Sequence, residues 1–147
     1  MEILDRLEQY WHRNWQAVAT DRPTPASTQD LSEFEQMHQV TFPLDFREYL
    51  QRFNGIEEDP DLFCLWPINK IRRLDSKGFH LLQAESYYYF ADYLIECHYY
   101  AIYLGNDGFF QNRVILPDFP GSPVIANTFT EFLELYLKDD PKLFGHV

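Results

Sequence analysis

The first apolar positions of the chain lie three or four residues apart, at Leu4, Leu7, Trp11, Trp15 and Val18. This spacing places them on one face of an amphipathic helix, which we predict over residues 3–19. Two prolines and several small polar residues follow in residues 20–27, a composition typical of a loop. Because this loop separates a single helix from the remainder, we expect one domain over residues 1–147.

Two more helices are predicted between residues 28 and 53. Ser27 or Thr28 can cap the first, because either hydroxyl can accept a hydrogen bond from a free N–H of the first turn. Its buried face is expected to contain Leu31, Phe34 and then Met37 or His38. Pro43 can begin the next helix, since its ring sets φ and the first helical position needs no N–H donor.

The third helix has a well-defined buried face and end. The residues on that face share helical spacing, at Phe46, Tyr49, Leu50 and Phe53. Asn54-Gly55 should end the helix, because glycine adopts the left-handed conformation that a helix C-terminus requires.

From Leu62 onward the apolar pattern changes to short runs of aromatic and β-branched residues, which favour strands. These runs span residues 62–66, 87–94, 98–104, 113–116 and 123–126. Residues 68–74 fit either a turn or a further strand. Ser76-Lys77-Gly78 and Asn106-Asp107-Gly108 predict turns.

Thr128 is expected to cap the last helix, with Glu131 reaching back to it in a capping box. An order of helices, then strands, then a helix predicts an α+β fold. We expect an antiparallel or mixed sheet of about 4–6 strands, flanked by N-terminal helices and one C-terminal helix.

The charge balance narrows the class of partner. The formal net charge is −11, which repels nucleic acids and anionic membranes and attracts basic partners. Acidity for solubility alone is the simpler alternative.

No apolar run approaches the roughly 20 residues of a membrane helix, and the N-terminus lacks the pattern of a secretory signal. Cys64 and Cys97 stand alone, so we expect a cytoplasmic protein of a reducing compartment.

Four of the twelve basic residues are concentrated within eight positions, at Lys70, Arg72, Arg73 and Lys77. We interpret this cluster as a solvated strand edge or turn, where cations discourage pairing with another chain. A local anion-binding site is the alternative interpretation.

The sequence contains none of the common catalytic or nucleotide-binding motifs. The P-loop, dinucleotide glycine, HExxH and GxSxG patterns are absent, and the five histidines are scattered without metal-ligand spacing. Because no nucleophile with an adjacent base is visible, we predict no catalytic residues, no metal, no cofactor and no enzymatic activity.

An acidic tract follows Gly55 and supplies the first candidate residues for partner binding, Glu57, Glu58, Asp59 and Asp61. It lacks the regular alternation and the glycine of an EF-hand loop. Two interpretations remain, a solvated loop or a surface that meets a basic protein and steers association.

Ten Tyr and thirteen Phe exceed the needs of one small core. Alternate side chains of a strand face outward, and here the aromatic residues are interleaved with acids rather than bases. This pattern favours a protein partner over a nucleic acid, since tyrosine is a common interface anchor. The candidates in this region are Tyr88, Asp92 and Glu96.

The segment FEQMHQVTFPLDFREYLQRFNG resembles the SUKH superfamily, whose Smi/Knr domains occur in bacterial immunity proteins and fungal cell-wall regulators. The matching positions are Phe34, Glu35, Pro43, Phe46, Leu50, Asn54 and Gly55, and Phe42 replaces the usual Leu. Later pieces fit in order: LWPINKI with Trp66, YYFADY, YAIYLG, and IANTFTEFLELYL with Thr128 and Glu131. The resemblance covers about residues 31–137.

The resemblance implies an α+β domain without enzymatic role. Bacterial relatives bind and neutralise toxins, often nucleases, that are encoded beside them. Contact surfaces diverge with the toxin, so no binding residue is carried over. We therefore expect a protein-binding module, an immunity protein that blocks a basic toxin surface. A regulatory Smi/Knr domain without a toxin partner is the alternative, and the oligomeric state stays open.

Overall fold

The computed structural model describes residues 2–14, 23–57, 59–75, 81–106 and 108–145. Within these residues it contains four α-helices, which are α1 (Glu2–Asn14), α2 (Thr28–His38), α3 (Leu44–Arg52) and α4 (Phe129–Lys138). The strands are β1 (Phe63–Leu65), β2 (Arg72–Arg73), β3 (Tyr87–Tyr93), β4 (His98–Tyr103), β5 (Val114–Ile115) and β6 (Val124–Ala126). Short 3₁₀ helices span Ala84–Ser86 and Pro141–Phe144. The predicted α+β class is confirmed.

The six strands form one antiparallel sheet in the order β1-β3-β4-β5-β6. Both β1 and β2 pair with the same side of β3, β1 with its end and β2 with its beginning. Residues 68–74 contain both predicted alternatives, since a turn precedes strand β2. Arg72 and Arg73 are exposed in this edge strand, as the interpretation of the basic cluster expected, whereas Lys77 lies outside the described residues.

Aromatic packing joins the helices to one face of the sheet. Phe46 of α3 stacks on Phe129 of α4, with ring centroids 4.5 Å apart. Phe90 of β3 contacts both of these rings and Phe132 of α4. Such pairs stabilise a core by about 0.5–1.5 kcal/mol each beyond the area they bury, so this cluster is the centre of the fold.

The first two helices follow the predicted pattern in most positions. Leu4, Leu7 and Trp11 are buried in α1, whereas the predicted continuation through residue 19 lies outside the described residues. Ser27 caps α2, and its hydroxyl accepts a hydrogen bond from the Asp30 N–H at 3.0 Å.

The alternative between Met37 and His38 on the buried face is resolved in favour of His38. Met37 is 78% exposed. The His38 ring is half-buried and packs against Phe34, with centroids 4.3 Å apart, and against Tyr88.

Two details of the predicted helix starts are wrong. Pro43 has ψ 155°, so this extended residue precedes the helix and α3 begins at Leu44. The Thr128 hydroxyl accepts the Glu131 N–H at 3.0 Å as predicted. However, the Glu131 carboxylate accepts the Asn127 N–H, one residue before the cap.

The Asn54-Gly55 junction connects the helices to the sheet. The Asn54 side chain accepts the Ile68 N–H and donates to the Thr24 carbonyl, both at 2.8 Å. Gly55 has φ +89°, and a Cβ built on it would lie 2.3 Å from the Leu65 carbonyl oxygen. A side chain is therefore excluded by both the backbone conformation and the neighbouring chain.

Gly55→Ala should lower the free energy of unfolding by more than about 3 kcal/mol, because strained φ and overlap with rigid backbone add together. Gly121→Ala is the matched control. Gly121 has φ +79° with no atom within 4 Å of a built Cβ, so only the backbone cost of about 1–2 kcal/mol is expected. Urea denaturation measures the free energy of unfolding of both variants. Equal losses in the two variants would contradict the close approach of Gly55 to the Leu65 backbone.

Candidate functional site

Two loops meet at one end of the sheet, residues 56–62 and the β3–β4 turn, residues 94–97. The Leu94 N–H donates to the Leu62 carbonyl at 3.0 Å. Three exposed acids lie on these loops, Glu57, Asp61 and Glu96. We call this surface the acidic end. Glu58 belongs to the same tract but lies outside the described residues.

The acids of the acidic end differ from those of the helices in their pairing. Arg6 contacts Glu134 at 2.7 Å, and Arg52 contacts Asp5 at 2.8 Å. Among the described residues, none of the three acids of the acidic end has a Lys, Arg or His nitrogen within 4.0 Å. The negative charge of the helical layer is thus partly compensated, and that of the acidic end is open to a partner.

A groove runs along the acidic end. Glu57 and Glu96 line a hollow of about 480 Å³ together with Lys70 and Ile95. An adjoining hollow of about 520 Å³ shares Glu57 with it and continues toward Pro25. The two carboxylates therefore face one continuous surface that could take an extended segment of a partner.

The β3–β4 turn carries backbone strain. Leu94, Ile95 and Glu96 have φ values of 54°, 51° and 63°, a left-handed conformation that costs roughly 1–2 kcal/mol per residue for side chains other than glycine. Ile95 is β-branched, which makes it a genuine outlier, and it is 71% exposed. The turn thus holds an apolar side chain in solvent at a local energetic cost.

Asp92 anchors this turn and is not a surface residue. It is 3% exposed, and it accepts the Trp66 indole N–H at 2.6 Å and the Glu96 N–H at 3.1 Å. The Lys70 Nζ lies 3.9 Å from Oδ2 of Asp92. The expectation that Asp92 is exposed is wrong, because its oxygens accept hydrogen bonds from groups inside the protein. Its role in binding stays a prediction.

Asp59 is the second acid that the structure removes from the surface. It is 4% exposed, and one of its oxygens accepts the Asp61 and Phe63 N–H groups, both at 2.9 Å. The other accepts the Tyr136 hydroxyl at 2.6 Å, and Tyr136 in turn accepts the Trp11 indole N–H at 3.0 Å. The prediction that Asp59 is exposed is wrong, because Asp59 closes a turn and connects β1 to α4 and, through Tyr136, to α1.

The sequence does contain a pattern that predicts the hydrogen bond of Asp59 within its own turn. Asp followed by Pro is typical of the first two positions of a turn, where the Asp side chain bonds the backbone N–H two residues on. For Asp92 and for the strain at Ile95, no local pattern of comparable strength exists, since the turn contains no Gly, Asn or Pro.

Tyr88 is fully buried, so its expected place on an exposed aromatic surface is also wrong. It faces α2, where its ring contacts Phe34 and His38. Of the candidate binding residues, Glu57, Asp61 and Glu96 remain exposed, and their role in binding stays a prediction.

The signature residues of the resemblance have structural contacts. Phe34, Phe46 and Leu50 are buried. The Glu35 carboxylate accepts the Phe42 N–H at 2.8 Å and pairs with Arg47. These positions hold the scaffold together.

The acidic end combines open carboxylates with a groove. The described residues include no group of three His, Cys, Asp or Glu side chains that could hold a metal ion. None of the described helices has the length and apolar character that spanning a bilayer requires. The predicted absence of enzymatic activity stays a prediction.

The family model of the SMI1 / KNR4 family (SUKH-1) matches residues 25–135. The chain belongs to the SMI1/KNR4 family. The suspected resemblance is thereby confirmed, and the matched region contains the whole acidic end. No curated protein matches the chain. In this SMI1/KNR4 protein, α1 and the residues after 135 lie outside the family match.

Asp59 should make stability depend on pH in a defined direction. Burial raises the pKa of Asp59 more than its hydrogen bonds to Tyr136, Phe63 and Asp61 lower it. A raised pKa means that folding favours the protonated carboxyl. The stabilisation that comes from protonated Asp59 is complete below the pKa that Asp59 has in the unfolded chain. It is lost as pH rises through the higher pKa that Asp59 has in the folded protein. The stability of the unmodified chain relative to Asp59→Asn should therefore rise as pH falls from 7 to about 4.

Urea denaturation of both chains at several pH values measures this difference, in which the other titrating groups cancel. A difference that does not change with pH, or that declines as pH falls, would contradict the raised pKa.

Ile95→Asn should stabilise the free protein by roughly 0.5–1 kcal/mol, because Asn tolerates the left-handed backbone that a β-branched residue resists. Leu82→Asn is the control, since Leu82 is 60% exposed and does not have positive φ. Thermal and urea denaturation compare the two variants. Equal effects of both substitutions would show that Ile95 is not strained.

Proposed function

We propose that this protein is a non-enzymatic binding module of the SMI1/KNR4 family whose acidic end docks on a basic protein. The partner proposed is a toxin domain, which the module neutralises as an immunity protein in the cytoplasm. Binding blocks the toxin's working surface, and the chain itself performs no reaction.

One observation carries this proposal. The strained β3–β4 turn holds Ile95 in solvent at a groove that the open carboxylates Glu57 and Glu96 also line. Backbone strain persists where function selects it, and an apolar anchor surrounded by charge has the composition of an interface centre with a polar rim.

A nuclease is the kind of toxin that this surface suits best. Nucleases need cationic surfaces for phosphate groups. The net charge of −11 would speed the encounter with such a surface, and the open acids would set orientation. Ile95 and the groove would then provide the desolvated contact that charge alone does not supply.

The regulatory alternative uses the same surface with another basic partner. The second hollow, which continues from Glu57 toward Pro25, could take an extended segment of a regulatory protein. Rescue from toxicity separates the two functions, because a regulatory module has no reason to protect a cell from the neighbouring gene's product.

The decisive experiment is co-expression with the toxin domain encoded beside the gene. The chain should restore growth, and the triple variant Glu57→Gln, Asp61→Asn, Glu96→Gln should weaken binding about tenfold or more at low salt. The measurement is the Kd as a function of salt, which should lose much of its salt dependence in the variant.

The matched control neutralises three exposed acids away from the acidic end, Glu2→Gln, Glu33→Gln and Glu85→Gln. It makes the same change in net charge, so it should keep rescue and most of the affinity. Equal losses in both triple variants would place binding elsewhere. No rescue and no complex with the unmodified chain would reject the toxin partner.

A further inference from the structure

A cavity of about 180 Å³ lies beside the acidic end, between α1, α4 and the start of β1. Five aromatic residues line it, and their rings contact one another in the order Tyr10, Tyr136, Phe63, Tyr93 and Phe144. Centroids of successive rings are 5.7, 5.1, 5.6 and 4.7 Å apart. We call this cavity the cage. Aromatic walls favour a cation, because ring faces carry negative charge.

The cage also contains a buried carboxyl group. Asp59 lines it and is 4% exposed. Among the residues that the structure describes, no Lys, Arg or His nitrogen lies within 4.0 Å of this carboxylate. Its three hydrogen bonds use three of the roughly four acceptor positions of a carboxylate. A cation beside a buried carboxyl group stabilises its charged form, so Asp59 suits a cationic neighbour.

Two further carboxylates stand at the mouth of the cage. Asp61 and Asp139 are exposed and line it from opposite loops. Their proximity is visible at the Tyr10 phenol, whose pKa is raised by burial and then by the charges of Asp59, Asp61 and Asp139. Three negative groups therefore converge on one ring of the wall.

The chemistry of the walls selects an organic cation over a metal ion. A metal requires a set of oxygen, nitrogen or sulfur ligands at close range, and no such group is found within the described residues. Lysine and arginine instead combine an apolar stem with a charged end. Rings can contact the stem while the carboxylates contact the charge.

The cage is assembled partly from segments outside the family match. Tyr10 precedes residue 25, and four lining residues follow residue 135, namely Tyr136, Asp139, Leu143 and Phe144. The remaining lining residues, Asp59, Asp61, Phe63 and Tyr93, lie within the match. The cage therefore combines residues inside and outside the family match.

We propose that the cage binds the cationic side chain of a lysine or arginine presented by the partner protein, an inference that rests on the proposed function. The cage adjoins the acidic end, since Asp61 belongs to both. A partner docked at the acidic end would place one basic side chain between the rings and the carboxylates.

The test uses small probes with the full-length protein. NMR chemical shifts of the aromatic rings are followed during titration with n-butylammonium, n-propylguanidinium and neutral 1-butanol, which has the same number of heavy atoms as n-butylammonium. Both cations should shift the five ring signals, and 1-butanol should bind at least about fivefold more weakly.

Variants identify the groups responsible. Asp61→Asn with Asp139→Asn should weaken n-butylammonium binding about fivefold, and Asn keeps the left-handed backbone of residue 139 acceptable. Phe144→Leu should weaken it about threefold, since one ring is lost. Glu2→Gln with Glu85→Gln makes the same charge change elsewhere and should alter binding less than about twofold.

Equal binding of 1-butanol and n-butylammonium, or shifts caused by calcium chloride but by neither organic cation, would overturn the cage. So would equal losses in the two double variants. The results of these titrations do not depend on the result of the co-expression experiment. Failure to rescue growth with cation selectivity intact would reject the toxin partner and leave the cage as a cation site.

Discussion

The close approach of the Gly55 backbone to the chain at Leu65 is the constraint on which the rest of the structure depends. It brings the end of α3 onto the start of the sheet, where Ile56 and Leu65 exchange backbone hydrogen bonds of 2.8 and 3.0 Å. Asn54 fixes the same point by bonding loops on both sides. This geometry directs the acidic tract along β1 to the end of the sheet.

The acids of this protein have two different uses. Asp59 and Asp92 are buried, and each accepts hydrogen bonds from its own loop and from one distant side chain, so they hold loops in place. Glu57, Asp61 and Glu96 lie on the same loops but face solvent. Buried carboxylates thus position exposed ones, and removing a buried one would disturb the surface indirectly.

The abundance of tyrosine and phenylalanine is explained mainly by the interior. Tyr87, Tyr88 and Tyr100 are fully buried, and rings pack on both faces of β3, as with Phe90 on Phe132 and Tyr89 on Trp66. The composition predicted an aromatic surface for a partner, whereas these rings pack in the interior of the protein.

Local features of the chain were determined by the sequence alone. Ser27 and Thr128 cap helices as predicted, Asn54 takes the left-handed conformation after the end of α3, and the strand runs fall within one or two residues of their positions. Capping, φ preference and apolar period depend on neighbours in the chain. Tertiary structure decided which acids are exposed. Tyr136 bonds Asp59 across 77 positions, and Trp66 bonds Asp92 across 26. No local pattern encodes such pairs, since burial and hydrogen bonding of a carboxylate depend on where distant segments pack.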